Sequence, residues 1–203
     1  MNGSGATRPL PLADLADEEL VAHTDRHAAF AILYDRYTPS ILGYCRLRIG
    51  NLHDAEDTAA LILLKAFAGF PPDQRNTFRA WLFTIAHHTK VDFYRRSARS
   101  PGTTFDLHVA DHVADGSPTP EEHMLRNDEQ ASLRRAMSKL TDDQRQVIEL
   151  RLAGLKGAEI ASVIGRSHNS VKMLQHRALN RLRAELTSAS TTITSSKESL
   201  DAS

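Results

Sequence analysis

LKGAEIASVIGRSHNSVKMLQHRALNRLRAEL, from Leu155 to Leu186, is the stretch whose reading decides the fold. It reads as two helices joined by a tight turn. Ala158, Ile160, Ala161, Val163 and Ile164 make the apolar side of a short first helix. Gly165 supplies the stop, because glycine tolerates the left-handed backbone that ends helices. Ser167 is placed to cap the second helix, its side-chain oxygen taking a backbone N–H that the helix leaves unpaired. From there Val171, Leu174, Ala178 and Leu182 recur at i, i+3, i+7 and i+11, a stripe on one helical face. At about 100° per residue, Asn169, Lys172, Met173, His176, Arg177 and Asn180 fall on the opposite side. The second helix has one side to bury and one to offer to a partner.

Its charge points to the partner. Arg166, Lys172, Arg177, Arg181 and Arg183 lie in this helix and its approach, with no Asp or Glu between them. A short helix, a turn and a basic amphipathic helix make a helix-turn-helix, whose second helix lies in the DNA major groove. Arg and Lys reach phosphates or guanine edges there, while Asn and Gln suit adenine. The plainer alternative is an ordinary helical hairpin with a solvated basic face. The absence of any acid disfavours it, because the chain as a whole balances 25 Lys and Arg against 25 Asp and Glu. A formal net charge of zero would argue against nucleic acid only if the charge were evenly spread.

The 203 residues leave room for one domain or two small ones, and 41% apolar residues are enough for real cores. The single cysteine, Cys45, excludes an internal disulfide framework and any cysteine-cluster zinc site. It sits in an apolar helical pattern, which predicts a small buried side chain. No run of 18 apolar residues exists and the N-terminus lacks the apolar core of a signal peptide, so a cytoplasmic protein is expected.

Taken in order, residues 1–16 hold Gly, Pro and Ala with little periodicity and read as a flexible leader. Asp17 to Arg26 forms a short helix with Leu20 and Val21 as its apolar contacts. From His27 to Ile49 the residues Phe30, Leu33, Tyr34, Tyr37, Ile41, Tyr44, Cys45 and Ile49 keep a helical period. Pro39 lies inside this pattern and should kink or split the helix. Asp54 to Phe70 is a second helix, with Asp54, Glu56 and Asp57 in the first turn, where the dipole favours acids. Its middle, Leu61-Ile62-Leu63-Leu64, is apolar nearly all round, so it is either central or offers an apolar face. Gly69-Phe70-Pro71-Pro72-Asp73 signals a loop. A third helix, Thr77 to Ser97, turns Phe78, Trp81, Leu82, Ile85, Thr89 and Phe93 inward and carries Arg79, Lys90, Arg95 and Arg96.

Beyond Pro101 the character changes. Asp106, Asp111, Asp115, Glu121, Glu122, Asp128 and Glu129 face a single Arg126, among Pro and Gly. This reads as an acidic linker over 100–129. Helices from Leu133 to Leu140 and from Thr141 to Leu152 come next, and Thr141 with Gln144 makes a capping-box pattern. The Ser/Thr-rich tail, 188–203, reads as disordered. The expected architecture is all-α, two small helical domains (17–99 and 130–187) joined by a flexible acidic linker.

This layout resembles an alternative sigma factor of bacterial RNA polymerase, of the extracytoplasmic-function (ECF) group in the sigma-70 family. The likeness covers about Ala28 to Leu186. It rests on DAEDTAALILLKAF (Asp54 to Phe67) followed by FRAWLFTIAHHTKVDFYRR (Phe78 to Arg96), then on LTDDQRQVIELRLAGLKGAEIASVIG and SVKMLQHRALNRLR. It implies a sigma domain 2 helical bundle and a sigma domain 4 helix-turn-helix. The implied role is to bind RNA polymerase core and direct promoter recognition, DNA melting and transcription initiation, with no catalysis, cofactor or metal of its own.

Under this resemblance Asp54, Glu56, Asp57, Leu61, Leu64 and Lys65 dock on the clamp helices of the polymerase β′ subunit. Arg75, Asn76, Arg79, His87, His88, Lys90, Arg95 and Arg96 meet the −10 element, where a base is flipped out; stacking and basic contacts can offset the few kcal/mol that unstacking costs. Trp81 faces the core in the helical pattern, so packing rather than base stacking is its expected role. Ser167, His168, Asn169, Ser170, Lys172, Met173, His176 and Arg177 read the −35 element. The acidic linker threads near the RNA exit path, and an anti-sigma factor is an expected partner. Two positions depart from the family pattern. A Gln-Glu pair common in the docking helix stands here as Ala60-Leu61, and an Asn of the −10 helix stands as His88.

Two other readings compete. A helix-turn-helix regulator acting without core polymerase would use the second domain alone. A metal phosphohydrolase would draw on His53-Asp54, His87-His88 and Asp92, since His88 and Asp92 share a helical face. No Ser/His/Asp set, phosphate-binding Gly loop or Cys nucleophile supports an enzyme.

Overall fold

In the computed structural model the described residues are 11–47, 49, 51–71, 77–97, 133 and 135–200. They are helices and connections, with no strand among them. A 3-10 turn at Leu12–Asp14 leads into α1 (Asp17–Val21). Arg36 holds this entry to the next helix, donating to the carbonyls of Ala13 and Leu15 and pairing with Asp17. The end of the expected flexible leader is thus fastened by a guanidinium fork; 1–10 lie outside the described residues.

The next helix, α2 (Arg26–Arg46), is capped by Asp25, whose carboxylate accepts from the Ala28 N–H at 3.1 Å. Pro39 does not split it. The ring lies on the exposed side, where water can serve the one carbonyl that loses its donor, while Tyr37 and Ile41 anchor the other side in the core. α3 (Leu52–Ala68) starts from an Asn51 cap accepting from His53 N–H and buries Ala55, Thr58, Ala59, Ile62, Leu63 and Ala66. Cys45 is fully buried, as its helical setting predicts, and burial pushes its thiol up to about 12. The native protein should therefore react with a thiol-titrating disulfide reagent far more slowly than the urea-unfolded chain, since the thiolate is the reactive form. Equal rates would put Cys45 on the surface.

α4 (Phe78–Ser97) opens at Thr77, whose hydroxyl accepts the Ala80 N–H. The sequence pattern predicts one apolar face and one open basic face. Instead Ala80, Phe83, Ala86 and Lys90 are buried along with Phe78, Leu82 and Thr89. α4 is the middle helix: α2 and α3 lie against it on one side and the C-terminal half on the other. The signal was in the sequence, because Ala80, Phe83 and Ala86 interrupt what should have been a polar face.

The acidic linker lies outside the described residues. Of the helix expected from Leu133 to Leu140, residues 133 and 135–138 are helical. Ala136, Met137 and Leu140 pack with Ile148, Ala178 and Leu182 into a small core of their own. Arg145 ties this turn down by donating to the carbonyls of Met137, Ser138 and Leu140.

α5 (Asp142–Leu152) begins with the Thr141–Gln144 capping box read from the sequence. α6 (Gly157–Ile164) ends at Gly165, which takes φ 64° in the left-handed region. α7 starts at His168, with Ser167 Oγ accepting the Ser170 N–H at 3.2 Å. It runs to Leu200, through residues 188–200 of the tail expected to be disordered. Neither Gly nor Pro occurs between Arg166 and Ser203 to break it.

The two halves share one core. Val147, Leu150, Leu155, Ile160, Val163 and Val171 join Leu33, Tyr44, Ile62, Leu82 and Phe83 in a single buried cluster.

Candidate nucleic-acid interface

Three surfaces carry the residues singled out from the sequence. The first is the outer side of α7. Val171 and Ala178 are fully buried, Leu182 nearly so, and Leu174 packs at the edge. Ser167, His168, Asn169, Lys172, Met173, His176 and Arg177 are exposed, and Ser170 is half-buried. A helix sorted this way presents its cations and amide as one unit, the arrangement a major-groove reader needs. Two of the five basic residues are engaged within the same half: Arg166 pairs with Asp143 at 2.7 Å and Arg181 with Glu185 at 3.1 Å. Lys172, Arg177 and Arg183 remain on exposed surface.

The second surface is α4, and here the side chains are placed differently from the expectation. His88 and Arg95 are exposed. Arg79 is half-buried, donating to the Gly154 carbonyl at 3.0 Å and lying 5.7 Å from the Tyr37 ring centroid. That carbonyl is offered by a turn in which Gly154 holds φ 88°, a conformation few other residues accept. Burial and the Asp17 hydrogen bond push the Tyr37 phenol up to about 12. His87 meets Gln146, whose amide approaches the ring at 2.7 Å.

Lys90 is 2% exposed, 2.6 Å from a Glu149 oxygen whose residue is 0% exposed. Its ammonium sits 3.8 Å from the Tyr44 ring centroid. Burial opposes that charge, but the Tyr44 and Glu149 side chains outweigh it and hold Lys90 above its ordinary pKa. So Lys90 faces Glu149 of α5 rather than solvent. Removing one partner of such a buried pair typically costs about 3–5 kcal/mol, because the other charge is stranded. Trp81 is half-buried against the Phe78 ring at 5.5 Å between centroids, in keeping with packing. Arg75, Asn76 and the side chain of Arg96 lie outside the described residues.

The third surface is the outer side of α3. Leu64 is 63% exposed and Phe67 45%. Phe67 is held edge-on against Phe30 and His27. The polar members of the set are engaged locally: Glu56 with Arg46 at 3.2 Å, Asp57 with His53 at 3.7 Å, Lys65 with the Thr89 hydroxyl at 3.1 Å. Asp54 and Leu61 are half-buried and Ala60 is exposed. α3 therefore offers outward a mixed surface, with His53, Glu56 and Asp57 exposed in its first half and Leu64 and Phe67 in its second.

One residue that the sequence reading missed is Glu149. Its only signal was an acid on the otherwise apolar run Val147-Ile148-Glu149-Leu150, where a solvated face had no room for it.

A basic exposed helix-turn-helix beside an aromatic-rich cationic helix defines a helical DNA-binding transcription protein. Comparison with known proteins narrows this. Residues 33–100 match the Sigma-70 region 2 family model and 130–182 match Sigma-70 region 4. The ECF RNA polymerase sigma factor ShbA of Streptomyces griseus is 34% identical over 155 residues, 72% of this chain and 81% of that one. The RNA polymerase sigma factor YlaC of Bacillus subtilis is 32% identical over 157 residues, 76% of this chain and 90% of that one. Among solved structures, the sigma factor RpoE of Bartonella quintana, in complex with the anti-sigma factor NepR, aligns with TM-score 0.61 and 26% identity, covering 78% of this chain and 96% of that one.

The chain belongs to the ECF RNA polymerase sigma factors of the sigma-70 family. It binds RNA polymerase core and directs promoter recognition, DNA melting and transcription initiation; it is an initiation factor and not an enzyme. The readings as a regulator independent of polymerase and as a phosphohydrolase give way to this membership. His88 and Asp92 stand exposed on α4, and no group of three or more His, Cys, Asp or Glu among the described residues is placed to hold a metal. No helix among the described residues is long and apolar enough to cross a membrane.

Proposed function

We propose that the three surfaces divide the work of initiation. The outer side of α3, led by Leu64 and Phe67, docks on the clamp helices of the polymerase β′ subunit. The outer side of α7 reads the −35 element through Asn169, Lys172, Met173, His176 and Arg177, with Ser167, His168 and Ser170 at its N-terminal end. α4 and the loop before it meet the −10 element through His88 and Arg95, and through Arg79, His87 and Lys90 once these are released from the C-terminal half. The observation that carries this reading is the sorting of α7, where Asn169, Lys172, Met173, His176 and Arg177 are exposed on the side away from buried Val171, Ala178 and Leu182. An anti-sigma factor is a further proposed partner, as RpoE of Bartonella quintana was solved with one. A cytoplasmic location is part of this proposal, supported by the need to meet RNA polymerase.

In vitro transcription with core polymerase and a randomised promoter library tests the division directly. Enriched promoters should show two separated sequence blocks. Enrichment of a single block, or none, would overturn it. Within that assay, Arg177→Ala is expected to weaken promoter binding by about 1–3 kcal/mol and to relax preference in the upstream block alone. The side chain is exposed, so melting temperature should be unchanged. Full activity on the enriched promoters would remove Arg177 from the readout.

A further inference from the structure

α7 turns one line of side chains toward its open side. Asn169, Met173 and Arg177 follow one another at i, i+4 and i+8, so they stack along one helical face. All three are exposed, and the buried stripe of Val171, Ala178 and Leu182 fixes that rotation. Several neighbours are engaged within the protein. The His168 ring sits so close over the first turn of α6 that a Cβ on Gly157 would come within 2.9 Å of its Cε1. The Asn180 amide approaches the His176 ring at 3.4 Å, and Arg181 pairs with Glu185. Asn169, Met173 and Arg177 take part in none of these contacts.

Of the three, Met173 is the chemical exception. Between Ser167 and Ala178 it is the one large apolar side chain exposed, at 53%, with an amide one turn before it and a guanidinium one turn after. A lone exposed methionine on an ordinary surface needs no account. On a face set to meet base edges it has a specific counterpart. In the major groove adenine, guanine and cytosine present hydrogen-bond donors and acceptors, whereas thymine adds a C5-methyl group. An unbranched thioether with three rotatable bonds can lay itself over that methyl. Excluding water from one methyl group corresponds to about a fourfold gain in affinity.

We propose that Met173 selects a C5-methylated pyrimidine in the upstream promoter block, at a step between those read by Asn169 and Arg177. Thymine is the ordinary source of the methyl, and 5-methylcytosine is the other. The inference rests on reading α7 as the −35 helix, where the order of residues along the helix follows the order of bases along the groove.

The test uses the full chain assembled with core polymerase, on promoter duplexes enriched from the randomised library. Each thymine of the upstream block, on either strand, is replaced in turn by deoxyuridine, which removes the methyl and keeps the pairing edge. Wild type should lose about fourfold in affinity at one position. That position should lie between those where Asn169→Ala and Arg177→Ala relax preference. With a C·G pair placed there instead, methylating the cytosine at C5 should tighten binding about fourfold. Met173→Ser should bind the thymine and deoxyuridine duplexes alike, while Met173→Leu should keep most of the difference. The ratio compares two DNAs on one protein, so a variant that merely loosened the fold would leave it unchanged. A response to deoxyuridine alone supports thymine as the source; a response to methylated cytosine as well supports recognition of the methyl itself. A wild-type ratio near one at every position, or a ratio that survives in M173S, would remove Met173 from the reading. So would an upstream block with no thymine between the Asn169 and Arg177 steps. Absence of any upstream block is a separate failure, that of α7 as the −35 reader.

Discussion

Phe83→Ala is expected to lower stability by about 3–5 kcal/mol, the range for deleting a fully enclosed aromatic side chain. Phe83 is 0% exposed, at the centre of the core the two halves share. Its ring meets Tyr44 edge to face, 5.5 Å between centroids and 80° between planes, a geometry that adds to simple area burial. Tyr44 in turn offers its face to the Lys90 ammonium. Truncation thus leaves a void next to a buried charge, and the site cannot collapse without disturbing that charge. At roughly 2–4 °C per kcal/mol for a chain of this size, the melting temperature should fall by about 10 °C. Thermal and urea unfolding followed by circular dichroism measure it. Leu152→Ala serves as control: at 63% exposure it should change stability by no more than about 0.5 kcal/mol. A loss under about 1 kcal/mol at Phe83 would mean that the core is looser there than its packing indicates.

Phe83 also shows where sequence reading stops. The helix-turn-helix was legible because each of its signals is local. Gly165 marks a left-handed stop, Ser167 a cap, and Val171, Ala178 and Leu182 a stripe, and none of these depends on what lies elsewhere in the chain. The Thr141–Gln144 box was legible for the same reason. α4 was half legible. Its period put Phe78, Leu82 and Thr89 inward correctly, but assigning the remainder to an open basic face assumed that only one side of the helix would be covered. Ala80, Phe83 and Ala86 said otherwise, yet which element covers them is a matter of long-range packing. Lys90 carries the clearest lesson. A lysine among arginines on a helix reads as a surface cation, and only the position of Glu149, far along the chain, shows it to be buried and paired. The pair belongs to the tertiary structure: Glu149's place in an apolar run hints at burial, but nothing local to either residue names its partner.

The docking surface proposed on α3 gives the largest expected functional effect. Leu64→Asp is expected to weaken binding to RNA polymerase core by at least about 100-fold, near 3 kcal/mol, while leaving the free protein folded. Leu64 is 63% exposed in the free chain, which leaves little transfer energy to lose on unfolding, so stability should shift by about 0.5 kcal/mol or less. In a docked complex the same position would be desolvated, and a carboxylate there would lack a partner. Leu64 and Phe67 are the large apolar side chains exposed on the second half of α3, so the proposed contact would draw its apolar burial from them. Where the family resemblance sets a Gln-Glu pair, this chain has exposed Ala60 and half-buried Leu61, which would shift the proposed contact further toward apolar burial. Few residues carry most of an interface's energy, and a buried apolar anchor beside an aromatic fits that role. Competition between labelled wild type and unlabelled variants for purified core gives the affinities. Leu64→Met should compete almost as well as wild type, and Leu64→Ala should lie between. If L64D competed within about threefold of wild type, the outer side of α3 would not be where the enzyme is held, and the contact would have to come from α1, α2 or the C-terminal half.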